Sequence, residues 1–304
     1  MDTGRRNNVI VAGNPQWLVV VLAPGFGCDQ RMWRPTPPPL DEDYRVGPFG
    51  HMGSGHWDLP AFSEDRRASL DGCTRDGVEI CAAVDLRDAA FVGHSVSAMV
   101  GVPAARMAPE RIGALVMVTP SPRYIYDEGC RGGFAAENGE NAENDEDAEI
   151  AENIDELSAS LGPNRPGRSA AVAPVVPVVP VVMGNAERPE PEEEPTNSFC
   201  ATDPDMAHVF ARTPFLPDSR GDVLADSRGD LLPQPRGGLK SVDVPTPVLD
   251  RARDANAPRE VGGYGHGAIP GPQLTTFDAT DHGPHQSAPR AVNDPITPVR
   301  EGLR

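Results

Sequence analysis

The 304-residue chain has no apolar run near the roughly 18 residues that a membrane-spanning helix needs. Its opening, Met-Asp-Thr-Gly-Arg-Arg-Asn-Asn, lacks the apolar core of a secretory signal. Cysteine is sparse: Cys28, Cys73, Cys81, Cys130 and Cys200 are odd in number and show no Cys-x-x-Cys spacing, which argues against a disulfide framework and against a zinc site. Lys240 is the only lysine, and nothing forms the basic stripe that phosphate binding requires, so nucleic acid is excluded as a partner. His51, His56, His208 and His266 have no metal-ligand spacing. These absences lead us to expect a cytoplasmic protein with reduced thiols, no cofactor, no metal and no membrane association.

What is abundant is proline and glycine, 34 and 31 residues, about a fifth of the chain and well above the usual share. Val, Leu, Ile and Phe together make about another fifth, close to the level below which highly charged chains stay unfolded. The formal net charge of -18 is concentrated. Ten carboxylates and no base lie between Glu137 and Glu156, and five Glu with one Arg lie between Glu187 and Glu194. The remainder carries an ordinary charge for a soluble domain. Between these clusters, Pro174 begins a Pro-Val-Val repeat that favours extended, polyproline-like backbone, because each Pro removes a donor. From Asp218 an eight-residue unit beginning Asp-Ser-Arg-Gly-Asp occurs twice in tandem, too few periods for a solenoid.

Around this low-complexity region the pattern is α/β. Trp17 to Ala23, Ala89 to Gly93 and Ile112 to Val118 are short, wholly apolar runs bounded by turn residues, as expected of strands buried on both faces of a parallel sheet. Ser97 to Met107, rich in Ala, Val and Met, predicts a helix between the second and third runs. Strand, helix, strand at this spacing is a right-handed crossover. After residue 240, Val242 to Leu249 is strand-like despite Pro245 and Pro247, Leu274 to Phe277 is a further strand candidate, and Ala288 to Leu303 is a helix candidate interrupted by Pro295 and Pro298. We expect a core in two parts, residues 1–134 and 201–304, with 135–200 inserted between them.

The stretch Phe91-Val-Gly-His-Ser95-Val-Ser97 places a serine between an apolar strand and a helix. A nucleophile elbow needs small residues two before and two after its serine, because the two backbones pass close together. Gly93 and Ser97 meet that need; the plainer reading is a turn in which Ser95 caps the helix. A serine nucleophile needs a base, an orienting acid and oxyanion donors. With the order Ser, acid, His, the base is His282 or His285, just past the Leu274 strand, and the acid is Asp254 or Asp250. The backbone N–H groups of Val96, after the nucleophile, and of Phe26, in Ala23-Pro-Gly-Phe-Gly-Cys28, are the oxyanion candidates.

The segments LAPGFGCDQ, MGSGHWDL, FVGHSVSAMV, and TPSPRYI with GGF closely resemble those of a family comprising RsbQ-type bacterial stress-regulator hydrolases and the plant karrikin and strigolactone receptors. SFCATDPDMA, APREVG and DHGPHQSAP continue the resemblance, which covers roughly residues 5–134 and 197–303. It implies an α/β-hydrolase core, a helical lid over a small apolar pocket, a triad on Ser95, Asp254 and His282, and oxyanion donors at Phe26 and Val96. It further implies a small apolar ester or lactone as ligand or substrate and a regulatory protein partner engaged through the lid. The chain departs from the pattern at residues 135–200, at Pro35 and Pro37 to Pro39, which interrupt an early helix, and at Pro48 and Gly50. Arg251 and Arg253 flank Asp254, either pairing with its carboxylate or turning it from His282. The alternative reading is a non-catalytic interaction protein that keeps the triad residues without activity.

Overall fold

The computed structural model describes residues 17–34, 44–50, 70–122, 238–251, 254, 266–271, 273–277 and 282–296, with residues 7, 9, 11, 13, 14 and 36. The inserted region 135–200, the tandem repeat after Asp218, Arg253 and the prolines 35 and 37–39 lie outside these residues.

Six strands form one parallel sheet: β1 (Val19–Ala23), β2 (Arg45–Pro48), β3 (Ala89–His94), β4 (Ile112–Val118), β5 (Pro247–Arg251) and β6 (Gln273–Phe277). Their order is β2-β1-β3-β4-β5-β6. Every residue of β1, β3 and β5 is buried, the consequence of covering a parallel sheet on both faces. The edges differ: β6 leaves Leu274 39% exposed. The first apolar run begins pairing at Val19 rather than at Trp17, whose N–H closes a turn onto the Asn14 carbonyl (3.0 Å). β5 joins the two distant parts of the sequence, since Met117 and Val118 of β4 pair with Val248 and Leu249.

Two helices follow the core strands. α1 (Leu70–Ala83) buries Leu70, Cys73, Ile80 and Cys81, a helical spacing that the sequence reading did not pick out, and packs against α2 (Val96–Met107). Ten of the twelve residues of α2 are buried, and this packing offsets the roughly 3 kcal/mol cost of Pro103 in its interior. α2 lies close on the sheet at Gly101, where an added Cβ would stand 3.0 Å from Phe91 Cδ1 and 3.2 Å from Leu115 Cδ2.

Two expectations are corrected. The strand expected over 242–249 begins only at Pro247, where a missing N–H is tolerated, while the Pro245 carbonyl accepts from Leu115 N (3.0 Å) ahead of it. Of the helix candidate 288–303 the described residues show α4 (Pro289–Asn293), which ends before Pro295, and a separate one-turn helix, α3 (Pro284–Ser287), precedes the candidate; each starts on a proline at its first position. Ahead of the prolines, Gln30–Trp33 forms a 3-10 turn capped by Asp29, whose carboxylate accepts from Arg31 N (2.8 Å) and Arg31 Nε (2.7 Å). Pro48 stands at the end of β2, an edge strand, where it breaks no interior ladder.

Phe91, 1% exposed on β3, contacts Phe49 and packs beneath Gly101 of α2. Phe91→Ala should cost about 3–5 kcal/mol of unfolding free energy, because the surrounding sheet and helix cannot collapse into the space. Urea denaturation followed by circular dichroism measures this, and a loss under about 1 kcal/mol would refute the packing described.

Candidate active site

In an open parallel sheet, ligands bind beyond the carboxyl ends of the strands where the strand order reverses. Here β1 has β2 on one side and β3 on the other, so that point lies between the loop after β1 (24–28) and the turn after β3.

The turn after β3 is Ser95, with φ 55° and ψ -121°. A non-glycine residue at positive φ costs on the order of 1–3 kcal/mol and persists only where its surroundings impose it. The imposition is visible on both sides. A Cβ at Gly93 would collide with the Ser97 carbonyl and stand 2.6 Å from Ala98 N, so only glycine lets the strand pass the start of α2. Ser95 N donates to the Val118 carbonyl of β4 (2.8 Å), and Ala98 N donates to the Ser95 carbonyl (3.0 Å). Ser95 makes no side-chain cap on α2, which removes the plainer reading of its hydroxyl as a helix cap.

The Ser95 hydroxyl meets His282, which follows β6. Ser95 Oγ lies 3.0 Å from His282 Nε2, and His282 Nδ1 donates to Asp254 Oδ2 at 2.6 Å. All three residues are buried. A carboxylate only accepts, so the proton sits on Nδ1 and the bare Nε2 accepts from the serine hydroxyl. The rivals lie elsewhere. His285 is wholly buried against Trp33 (ring centroids 4.6 Å) and His94 (4.8 Å), with neither ring nitrogen partnered among the described residues. Asp250 Oδ1 accepts from Arg251 N (2.8 Å). Arg251 is buried at the end of β5, and Asp254 faces His282 beside it.

Val96 is the first residue of α2, so its N–H is among those that no helix carbonyl can accept. Phe26 is buried in the facing loop, within a turn closed by Cys28 N to the Gly25 carbonyl (3.3 Å). Gly27 takes φ 71° in that turn, a conformation that favours glycine. The Ser97 hydroxyl donates to the Pro24 carbonyl and so ties this loop to α2. Cys28, in the same loop, is buried.

Two residues that the sequence reading passed over complete the surroundings. The imidazole of His94 touches the His282 ring (4.9 Å), and His94 Nε2 donates to the His282 carbonyl at 2.6 Å. Thr119 Oγ1 also reaches that carbonyl, at 3.3 Å. The available signal for His94 was an imidazole at the end of a wholly apolar strand, directly before the serine. Burial and, less strongly, the neighbouring His282 hold the His94 pKa down at about 3. Burial, followed by His94, His282 and Arg251, pushes His285 well below 6.5. Among the described residues no group of three or more His, Cys, Asp or Glu could hold a metal, and no helix is long and apolar enough to cross a membrane.

Comparison with known proteins places this geometry. No family model matches the chain. It is 39% identical to a karrikin insensitive 2 receptor from Petunia hybrida over 132 residues, 43% of this chain and 48% of the receptor. The chain thus spans about half the length of the curated receptors it matches at that level. It is 29% identical to a strigolactone esterase from Pisum sativum over 284 residues, 93% of this chain and 92% of that protein. The structure superposes on that of a hydrolase from Oleispira antarctica with a TM-score of 0.76 and 29% identity, covering 99% of this chain and 96% of the other. The homologues are karrikin and strigolactone receptors and esterases, and the fold is that of the α/β-hydrolases.

The two buried histidines make stability depend on pH with a definite sign. Their folded-state pKa values lie below the unfolded value of about 6.5, so the unfolded chain binds protons first. The stabilisation is complete above pH 6.5 and is lost as the pH falls below it, for His94 down toward about 3, by up to about 1.4 kcal/mol per pH unit for each histidine. Urea midpoints should therefore fall between pH 7 and pH 5; midpoints that stay constant would contradict buried, neutral rings.

Proposed function

We propose that this chain is a serine hydrolase acting on a small apolar ester or lactone, and that it serves as a ligand-sensing regulator. The observation that carries the reading is the chain of hydrogen bonds from Asp254 through His282 to Ser95, at 2.6 and 3.0 Å, on a serine held at φ 55°.

In this reading Ser95 Oγ attacks the carbonyl carbon of the ester while His282 Nε2 takes its proton. The C=O electrons move onto oxygen, and the N–H groups of Val96 and Phe26 stabilise the charge that develops there. The tetrahedral adduct then expels the alkoxide, which leaves with the proton held by His282, and Ser95 is left acylated. Water repeats the sequence, giving its proton to His282 and releasing the carboxylic acid and free Ser95. Asp254 keeps His282 in the tautomer whose Nε2 is bare and stabilises the imidazolium formed at each step. Neither a cofactor nor a metal enters this cycle.

Residues 1–134 and 201–304 supply the hydrolase core in this proposal, and 135–200 stands where the family resemblance implies a lid. Ligand binding or hydrolysis at Ser95 would change that region and with it the engagement of a regulatory protein. The names of the petunia receptor and the pea esterase support a small ligand and ester chemistry respectively.

Hydrolysis of p-nitrophenyl acetate and butyrate tests the proposal. Ser95→Ala should lose at least about 10³-fold in turnover, and Asp254→Asn about 10³–10⁴-fold while remaining folded. Equal rates for Ser95→Ala and the wild type, or a Ser95 that a fluorophosphonate does not label, would leave the non-catalytic interaction protein as the better reading.

A further inference from the structure

We propose that His94 is a positioning residue, whose imidazole fixes the main chain and the ring of His282 and so holds the base on Ser95. The inference rests on the reading of Ser95 and His282 as nucleophile and base.

A catalytic imidazole must be held to within about 0.5 Å and 10–20° of its productive geometry. The Nδ1–H bond to Asp254 and the contact with Ser95 constrain the two nitrogens of the His282 ring. They do not fix the backbone that carries it. The His282 carbonyl is held by two donors, His94 Nε2 at 2.6 Å and Thr119 Oγ1 at 3.3 Å. Thr119 has a single hydroxyl proton and a nearer acceptor in the Val118 carbonyl, at 2.9 Å, so His94 is the dominant anchor. The His94 ring also lies against the His282 ring, with centroids 4.9 Å apart and planes at 58°, and this restricts rotation of the base.

The tautomer of His94 follows from its partners. A carbonyl only accepts, so the proton is on Nε2, and in the neutral ring Nδ1 is bare. Nδ1 faces Gly25 without a hydrogen-bond partner, and a Cβ at Gly25 would collide with it. The imidazole is therefore wedged between the loop that carries Phe26 and the segment that carries His282. Its edges meet His285 (4.8 Å) and Trp33 (6.5 Å), which leave the ring little freedom to swing away. Because His94 is the residue before Ser95, the elbow that presents the nucleophile also presents the clamp on its base.

The test compares His94→Phe, which keeps a buried ring and removes the donor, with His94→Gln, whose amide nitrogen stands near the place of Nε2. Thermal melts establish folding, and p-nitrophenyl acetate kinetics are measured beside Ser95→Ala. We expect His94→Phe to lower kcat by about 10–10²-fold with KM within about twofold, as misplacement of a reacting group does, and His94→Gln to recover most of that loss. A folded His94→Phe with wild-type kcat, beside an inactive Ser95→Ala, would overturn the role of His94 and leave the hydrolase reading standing. Wild-type turnover in Ser95→Ala would instead overturn the hydrolase reading, and the role built on it. If His94→Phe fails to melt cooperatively, imidazole nitrogen NMR of the wild-type protein decides. A proton on Nε2 of His94 is the expected result, and a proton on Nδ1 would overturn the proposal.

Discussion

The close crossing of β3 and α2 at Gly93 is the constraint on which the rest of the site depends. The missing Cβ lets the strand pass the Ser97 carbonyl, and Ser95 is thereby forced to a φ of 55°. That conformation is costly in isolation and is held by hydrogen bonds from two directions, the Val118 carbonyl of the neighbouring strand and the first turn of the helix. A hydroxyl presented in this way makes no side-chain cap on the helix, and it stands next to the Val96 N–H, which has no carbonyl of its own helix to bond. Both loops that face it are tied to the same junction: Ser97 holds the loop after β1 through the Pro24 carbonyl, and His94 holds the His282 segment.

The imidazoles behind this junction are buried. His94 and His285 are both wholly buried and neutral, packed on Trp33 and on each other. A low local dielectric strengthens the bond between Asp254 and His282. It also gives the site a price in stability at acid pH, since each buried ring must charge as the protein unfolds. The arrangement fits a site where one histidine moves a proton and its neighbours are kept from doing so.

Prolines are placed so that most cost little. Pro247, Pro284 and Pro289 begin their elements, Pro48 ends an edge strand, and Pro295 follows a helix that has already finished. Among the described residues Pro103 alone sits inside a helix, and ten of the twelve residues of that helix are buried. An excess that looked like a threat to folding is, within the described core, largely a set of boundaries.

The amino-acid sequence by itself determined the parts of the fold that rest on local pattern. Three apolar runs became β1, β3 and β4, because continuous apolarity is what a strand covered on both faces requires. Gly93 and Ser97 around Ser95 announced the elbow, because its steric demand is met by residue size alone. Boundaries near proline were less legible, as the starts of β5 at Pro247 and of α4 at Pro289 show, and α1 was masked by the Asp, Arg and Glu interleaved with its buried positions. Which histidine and which carboxylate face Ser95 was a choice that spacing left open, since His282 and His285, or Asp250 and Asp254, are each three or four residues apart. The family resemblance favoured His282 and Asp254, and only the tertiary structure brings them to Ser95, because in a parallel sheet the ends of β5 and β6 lie on the same side as the end of β3. The tertiary structure also revealed His94, whose part depends on a carbonyl 188 positions away in the chain that no local pattern could bring beside it.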